Sequence, residues 1–228
     1  MKKFIGLTCS LFFTISLFAQ TLEDTSQTNT PIAQETHSYF GAGVGYYFLP
    51  MANVNAHFAD LGVSIANTTQ MIGVGIDRGY NTVTSKFSHG VTGLMSFHYL
   101  LPQKFNGVGD SVKVSFNGYN AQFDLLGANF VKSEIITLTG GLGWAFGRVK
   151  VTEETNAGKT VFLNKYFAPE GRFEFNVRFA EHFFIGLRYA YRADITKSRW
   201  TKSGVNSPDL PGTNMSGTMI GAFIGYGK

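Results

Sequence analysis

Cysteine is all but missing from this chain. The single example, Cys9, lies inside the first apolar stretch. Once that stretch is set aside, no disulfide, thiolate zinc site or cysteine nucleophile can form. Charge is scarce too. Asp, Glu, Lys and Arg make up 15% of the residues, against about 25% in ordinary soluble domains. No run of Lys and Arg is long enough to track a phosphate backbone, which argues against nucleic-acid binding. Beyond residue 37 there is no apolar run of the ~18 residues that a membrane-crossing helix requires. Helical three-four periodicity is also sparse.

The chain opens on Met1-Lys2-Lys3, continues through the apolar stretch Phe4–Phe18 and reaches Ala19. That order is the pattern of a secretory signal peptide, residues 1–19, cleaved after Ala19. Thr8 stands before Cys9 where a lipoprotein signal wants a small residue, so lipid attachment is rejected. Losing Lys2 and Lys3 takes the 19 Lys and Arg to 17, against 15 Asp and Glu, a net charge of +2. Residues 20–37 are polar and rich in Thr and Gln, and read as a flexible tail.

From residue 38 to 228 a period of two recurs, the mark of strands with unlike faces. Phe173, Phe175 and Val177 alternate with Arg172, Glu174, Asn176 and Arg178. Ile185, Leu187, Tyr189 and Tyr191 alternate with Gly186, Arg188, Ala190 and Arg192. Ile136, Leu138, Leu142, Trp144 and Phe146 oppose Thr137, Thr139, Gly141, Gly143 and Ala145. Similar patterns occur around Phe40–Phe48, Ile72–Asp77, Phe87–Tyr99 and Tyr119–Leu125, with Ile220, Ala222, Ile224 and Tyr226 on the last strand. Eight strands are predicted.

Three connections read as short: Gly79–Thr82, Val131–Glu134 and Ala180–His182. Four read as long: Met51–Thr69, Leu101–Ser111, Thr152–Asn164 and Thr196–Thr213. Strict alternation of short and long fits an up-and-down barrel with tight turns at one rim. The predicted class is therefore all-β, an eight-stranded antiparallel up-and-down transmembrane β-barrel. The polar faces are rich in Gly, Ser, Thr and Ala, as a tight lumen requires, and aromatics crowd the strand ends as in interfacial girdles. Closure leaves no unpaired sheet edge in lipid.

Pairing Phe179 with Phe183 across the Ala180–His182 turn sets Glu174 opposite Arg188 and Glu170 opposite Arg192. Opposite charges are then matched on the inward side. Glu174, Arg188, Glu170, Arg192, Arg172, Arg178 and Asp124 are expected to form structural ion pairs in the lumen, since a lone buried charge is very costly.

In these features residues 38–228 resemble the small eight-stranded outer-membrane barrels, the OmpX/OmpA-like families. The ending Ile224-Gly225-Tyr226-Gly227-Lys228 departs from their usual terminal aromatic. The resemblance implies periplasmic turns, long outer loops and residence in the bacterial cell outer membrane. It also implies contact with outer-membrane lipid and lipopolysaccharide, and insertion by the barrel-assembly machinery.

Gly158-Lys159-Thr160 mimics the end of a phosphate-binding loop, but Glu153 stands where its first glycine belongs and no helix is predicted after it. None of His37, His57, His89, His98 and His182 has metal-ligand spacing, so neither metal nor cofactor is expected. His57, Asp60 and Ser64 in the first long loop are the residues available for acyl transfer, and His98 with Ser96 is a thinner set. Val54, Phe58, Leu61 and Ile65 recur at helical spacing and predict a short amphipathic helix at the rim or capping the barrel. The leading expectation is a non-enzymatic barrel with an envelope or surface-interaction role through its outer loops. The alternatives are a lipid A acyltransferase or deacylase, a narrow porin, and a secreted soluble barrel.

Overall fold

The computed structural model describes residues 35–65, 69–83, 91–107, 111–132, 135–196, 200–204 and 209–227. The leader, residues 20–34 of the tail, and the predicted strand start at Phe87 with its neighbours Ser88 and Gly90 lie outside them. The elements are β1 (Glu35–Leu49), α1 (Ala52–Asp60), β2 (Thr69–Val83), β3 (Val91–Asn106), β4 (Val112–Lys132), β5 (Ile136–Thr155), β6 (Gly158–Arg178), β7 (Phe183–Arg192), β8 (Thr201–Gly204) and β9 (Gly217–Gly227). Successive strands from β1 to β7 pair antiparallel, β9 pairs with β7, and β9 returns to β1 with Tyr39 opposite Gly227. Eight strands thus close a ring, the barrel that the period-two pattern predicts. The short β8 stands outside the ring, paired to the far end of β6.

Inside the ring the alternation resolves as expected. Phe40, Val44, Ile76, Met95, Leu142, Phe173, Leu187 and Ile224 are exposed on the outer wall. Their neighbours Asp77, Ser96, Arg172, Glu174 and Arg188 are buried within. The β6–β7 register sets Glu174 opposite Arg188 and Glu170 opposite Arg192.

The connections differ from the reading in three places. β2 runs through the predicted Gly79–Thr82 turn to Val83. Gly79 is not a turn residue: it faces the Tyr39 ring, and a Cβ there would lie 2.1 Å from Tyr39 Cε1. Leu101–Ser111 and Thr152–Asn164 are not long loops. β3 continues to Asn106 and β4 starts at Val112, while β5 and β6 meet in a hairpin with only Asn156 and Ala157 between them. The hairpin closes on Gly158 at φ 135, a backbone conformation natural only to glycine. At the tail, β1 begins at Glu35, ahead of Ser38.

The physical reason for the missed strands is an inversion of polarity along them. On β5 the outer face runs from Ile136 to Phe146 and then switches to Arg148 and Lys150, while the inner face switches from Thr139 and Ala145 to Val149 and Val151. On β6 apolar Phe167, Phe173 and Phe175 face out below, with Lys159 and Lys165 above; Phe162 is buried inside at that upper level. β4 repeats this, with Val114 and Phe116 buried inward above Asn120 and Gln122. The lower barrel is greasy outside and polar inside; the upper extension is the reverse.

The upper apolar face is covered by α1. Its helix ends in a Schellman motif: Val63 N–H donates to Phe58 O and Gly62 N–H to Ala59 O, both at 2.9 Å, with Gly62 at φ 76. Phe58 and Val63, the two positions that this motif brings together, are both fully buried. The helix predicted from Val54, Phe58, Leu61 and Ile65 is therefore present, and it caps the barrel. Its core partners include Tyr47, Met71, Phe116, Val149, Val151 and Phe162.

Candidate functional site

Three levels of side chains fill the described interior. Nearest the short turns, Tyr39, Phe184 and Phe223 form an aromatic floor, with ring centroids 5.1 Å apart for Tyr39–Phe184 and 5.9 Å for Phe184–Phe223. An ionic layer lies above it, and the apolar plug topped by α1 lies above that.

The ionic layer centres on two guanidiniums. Arg188 Nε donates to Glu174 Oε2 at 3.1 Å, and its Nη1 and Nη2 donate to the two oxygens of Asp77 at 3.0 and 3.2 Å. Arg172 Nη1 donates to the same Glu174 oxygen at 3.0 Å, while its Nε and Nη2 donate to Asp124 Oδ2, the first at 2.8 Å. Tyr39 OH donates to Glu174 Oε1 at 3.0 Å. His98 Nε2 lies 3.4 Å from Asp77 Oδ1. Five charged groups from β2, β4, β6 and β7 are thus laced across the lumen; Asp124 is held by Arg172 alone, and each of the other four by groups on two or more strands. Such a network fixes the strands against slippage, because a shift of one residue turns these side chains outward. Glycines make room for it: a Cβ on Gly141 would lie 2.5 Å from Asp124 Oδ2.

Two of the expected placements are corrected. Glu170 and Arg192 oppose each other in the ladder, but among the described residues no ion pair joins them. The Arg192 guanidinium instead donates to Asn120 Oδ1 at 2.7 Å and Tyr166 OH at 2.6 Å, sandwiched near the rings of Tyr47 and Tyr166. Cross-strand opposition sets only the Cα positions; a long guanidinium reaches past its neighbour to acceptors and aromatic faces on other positions of the wall. Arg178 has inward parity but is the last residue of β6, so it emerges at the rim, exposed, and donates to Glu181 O at 3.1 Å. The reading also missed Asp77, Tyr39, His98, Asn120 and Tyr166 as members of the network. Asp77 carried a usable signal, as the one acid on an inward face otherwise lined by Gly73 and Gly75.

The acyl-transfer candidates are not assembled. His57 Nε2 is buried without a hydrogen-bond partner, and no hydrogen bond connects it to Asp60 or Ser64. His98 turns to Asp77, and Ser96 Oγ has no partner. Among the described residues no group of His, Cys, Asp and Glu has the arrangement to hold a metal ion.

The outer wall is banded. A girdle near the short turns contains Phe179, Phe183 and Tyr226, with Phe183 and Tyr226 centroids 5.0 Å apart. A second girdle near the extension contains Tyr46 with Phe48, Phe97 with Tyr119, and Trp144 stacked on Phe167 at 4.5 Å. Mostly aliphatic side chains, with Phe130 and Phe173 among them, fill the band between. At the hairpin tip Lys159 Nζ donates to Glu154 Oε1 at 2.7 Å, and that ammonium holds the Glu154 carboxyl below the usual carboxylate range.

No protein-family model matches the sequence, and no curated protein resembles it. Solved structures do resemble it. Ail, the attachment invasion locus protein of Yersinia pestis solved with the heparin analogue sucrose octasulfate, is 16% identical. The match covers 84% of this chain and 99% of that one, with a TM-score of 0.48. OprG from Pseudomonas aeruginosa is 10% identical over 86% of this chain and 97% of its own, TM-score 0.45. The N-terminal β-barrel domain of OprF from the same organism is 12% identical over 84% and 97%, TM-score 0.40. The fold of this chain is a closed, eight-stranded, all-antiparallel β-barrel.

Proposed function

We propose that the chain is an integral barrel of a bacterial outer membrane, non-enzymatic, which anchors a rigid protruding sheet at the cell surface. One observation carries this reading: β4, β5 and β6 each exchange apolar-out for polar-out at one level, just past the second aromatic girdle. A soluble barrel has no use for an apolar outer belt ending on aromatics, whereas a bilayer imposes one. Lipid and lipopolysaccharide are the natural contacts of that belt, and the barrel-assembly machinery the natural route of insertion. The unassembled state of His57, Asp60 and Ser64 favours a structural or surface-interaction role over lipid A acyl transfer. The ionic layer and the plug favour it over a narrow porin.

The test is gel migration of the membrane fraction from a Gram-negative host expressing the full chain. The expected result is a band that runs differently before and after boiling in SDS. Recovery in the soluble fraction, with no change on boiling, overturns the reading.

A further inference from the structure

Just above the second girdle, the outer wall of β5 and β6 brings cations together without acids. Arg148 and Lys165 are direct partners in the β5–β6 ladder. Like charges in that position repel and weaken the sheet. Lys150 follows two residues along the same face, opposite Asn117 on one side and Leu163 on the other. The carboxylate nearby on the same wall, Glu154, is engaged by Lys159. Arg148 lies over the Tyr119 ring, its guanidinium carbon 5.4 Å from the centroid, and its Nε is buried with no hydrogen-bond partner. A buried donor left unpaired costs free energy, as does the opposed cation pair. The repulsion between the opposed cations is relieved if an anion sits between them.

Position identifies that anion. Directly below lie Phe146 and the Trp144–Phe167 stack, and below those the aliphatic band. A molecule with acyl chains along the band and a sugar against the aromatic shelf places a phosphate at the level of Arg148. The outward-facing positions at the same rim on β1, β7 and β9, such as Phe48, Tyr191 and Thr218, carry no charge.

We propose that Arg148, Lys150 and Lys165 form a site for the phosphate-bearing headgroup of an outer-leaflet glycolipid, on one sector of the wall. This rests on the outer-membrane reading above and adds to it where on the barrel the lipid is held, and by which atoms. The Arg148 fork supplies paired donors to phosphate oxygens, and the two ammonium groups supply charge.

The test is native mass spectrometry of the full chain released from a neutral detergent, titrated with lipid A carrying two phosphates, lipid A carrying one, and a phosphate-free glycolipid. Wild type is expected to retain the bis-phosphorylated lipid best and the phosphate-free lipid least. Cations near a membrane surface each contribute enough that R148Q, K150Q or K165Q should weaken retention about fivefold, and all three together on the order of a hundredfold. K159Q should match wild type, because the Lys159 ammonium is already engaged by Glu154. Heat-modifiable migration of each variant shows that it is folded; if the triple variant is not, the single variants carry the test. Wild-type retention by folded variants, no preference among the three lipids, or equal displacement by inorganic pyrophosphate, which has no acyl chains, overturns the proposal. Those failures leave the barrel reading intact, because that reading fails on the migration assay.

Discussion

A guanidinium buried as deeply as Arg188 survives because Asp77 and Glu174 hold it from two different strands. Removing it leaves two carboxylates in the interior with their principal cation gone, the arrangement that costs about 3–5 kcal/mol in buried pairs. R188M is therefore expected to lower the urea midpoint of the detergent-folded barrel strongly. R178M should leave it within about 0.5 kcal/mol, since that side chain is exposed at the rim. Equal midpoints for the two variants would show that the network carries no stability. A second residue-scale prediction concerns Gly79. The Tyr39 ring beneath it is tied by its hydroxyl to Glu174, so it cannot swing away from an added methyl group. G79A should destabilise by about 1–3 kcal/mol, the usual cost of overpacking. G212A, whose Cβ meets nothing within 4 Å, is the comparison in the same unfolding assay. At this scale the sequence revealed which residues faced inward, from parity alone. It did not reveal their partners, because a side chain as long as Arg192 chooses among acceptors on several strands and parity says nothing of reach.

Elements were legible wherever one face stayed apolar and the same face stayed outward. The apolar-belt parts of the strands satisfied that condition, except on β4, where register shifts after Asp124 and Asn129 move the outward face from the parity of Phe123 to that of Phe130. The extensions of β3 to β6 did not: with Lys113, Lys150 and Lys159 outward and Val114, Val151 and Phe162 inward, their continuation looked like polar loop. The inversion becomes intelligible only once α1 is seen covering the inner face. That dependence gives an element-scale prediction. Phe58 is fully buried between α1 and Phe116, with ring centroids 6.2 Å apart. F58A removes about 3–5 kcal/mol of packing from the plug, but few of the contacts that close the ring. The described part of the first connection, residues 50–65, should become sensitive to brief protease treatment in intact cells, while the migration of the boiled and unboiled chain stays as in wild type. Loss of both together would mean that plug and barrel fold as one unit.

At the scale of the whole molecule, the stacking of floor, ionic layer and plug decides whether solutes pass. An eight-stranded ring has an interior just wide enough for side chains to fill it. Here the filling is of two kinds, an apolar plug and an ionic layer, at different levels. An ion crossing the lumen must first pass the apolar plug, where Met51, Val54 and Phe58 are fully buried. It must then displace guanidiniums already bonded to carboxylates at 3.0–3.1 Å. Loosening the plug alone therefore opens no path, because the layer below still spans β2, β4, β6 and β7. Wild type and F58A are both expected to show no steady conductance in planar bilayers. Combining F58A with R188M weakens both the plug and the ionic layer, leaving the Tyr39–Phe184–Phe223 floor as the remaining obstruction, and is the variant in which discrete current steps should first appear. Steady steps in the wild-type protein whose size changes with R188M alone would mean instead that the ionic layer lines a conducting path, and the chain would then be a narrow pore whose selectivity is set by Arg188.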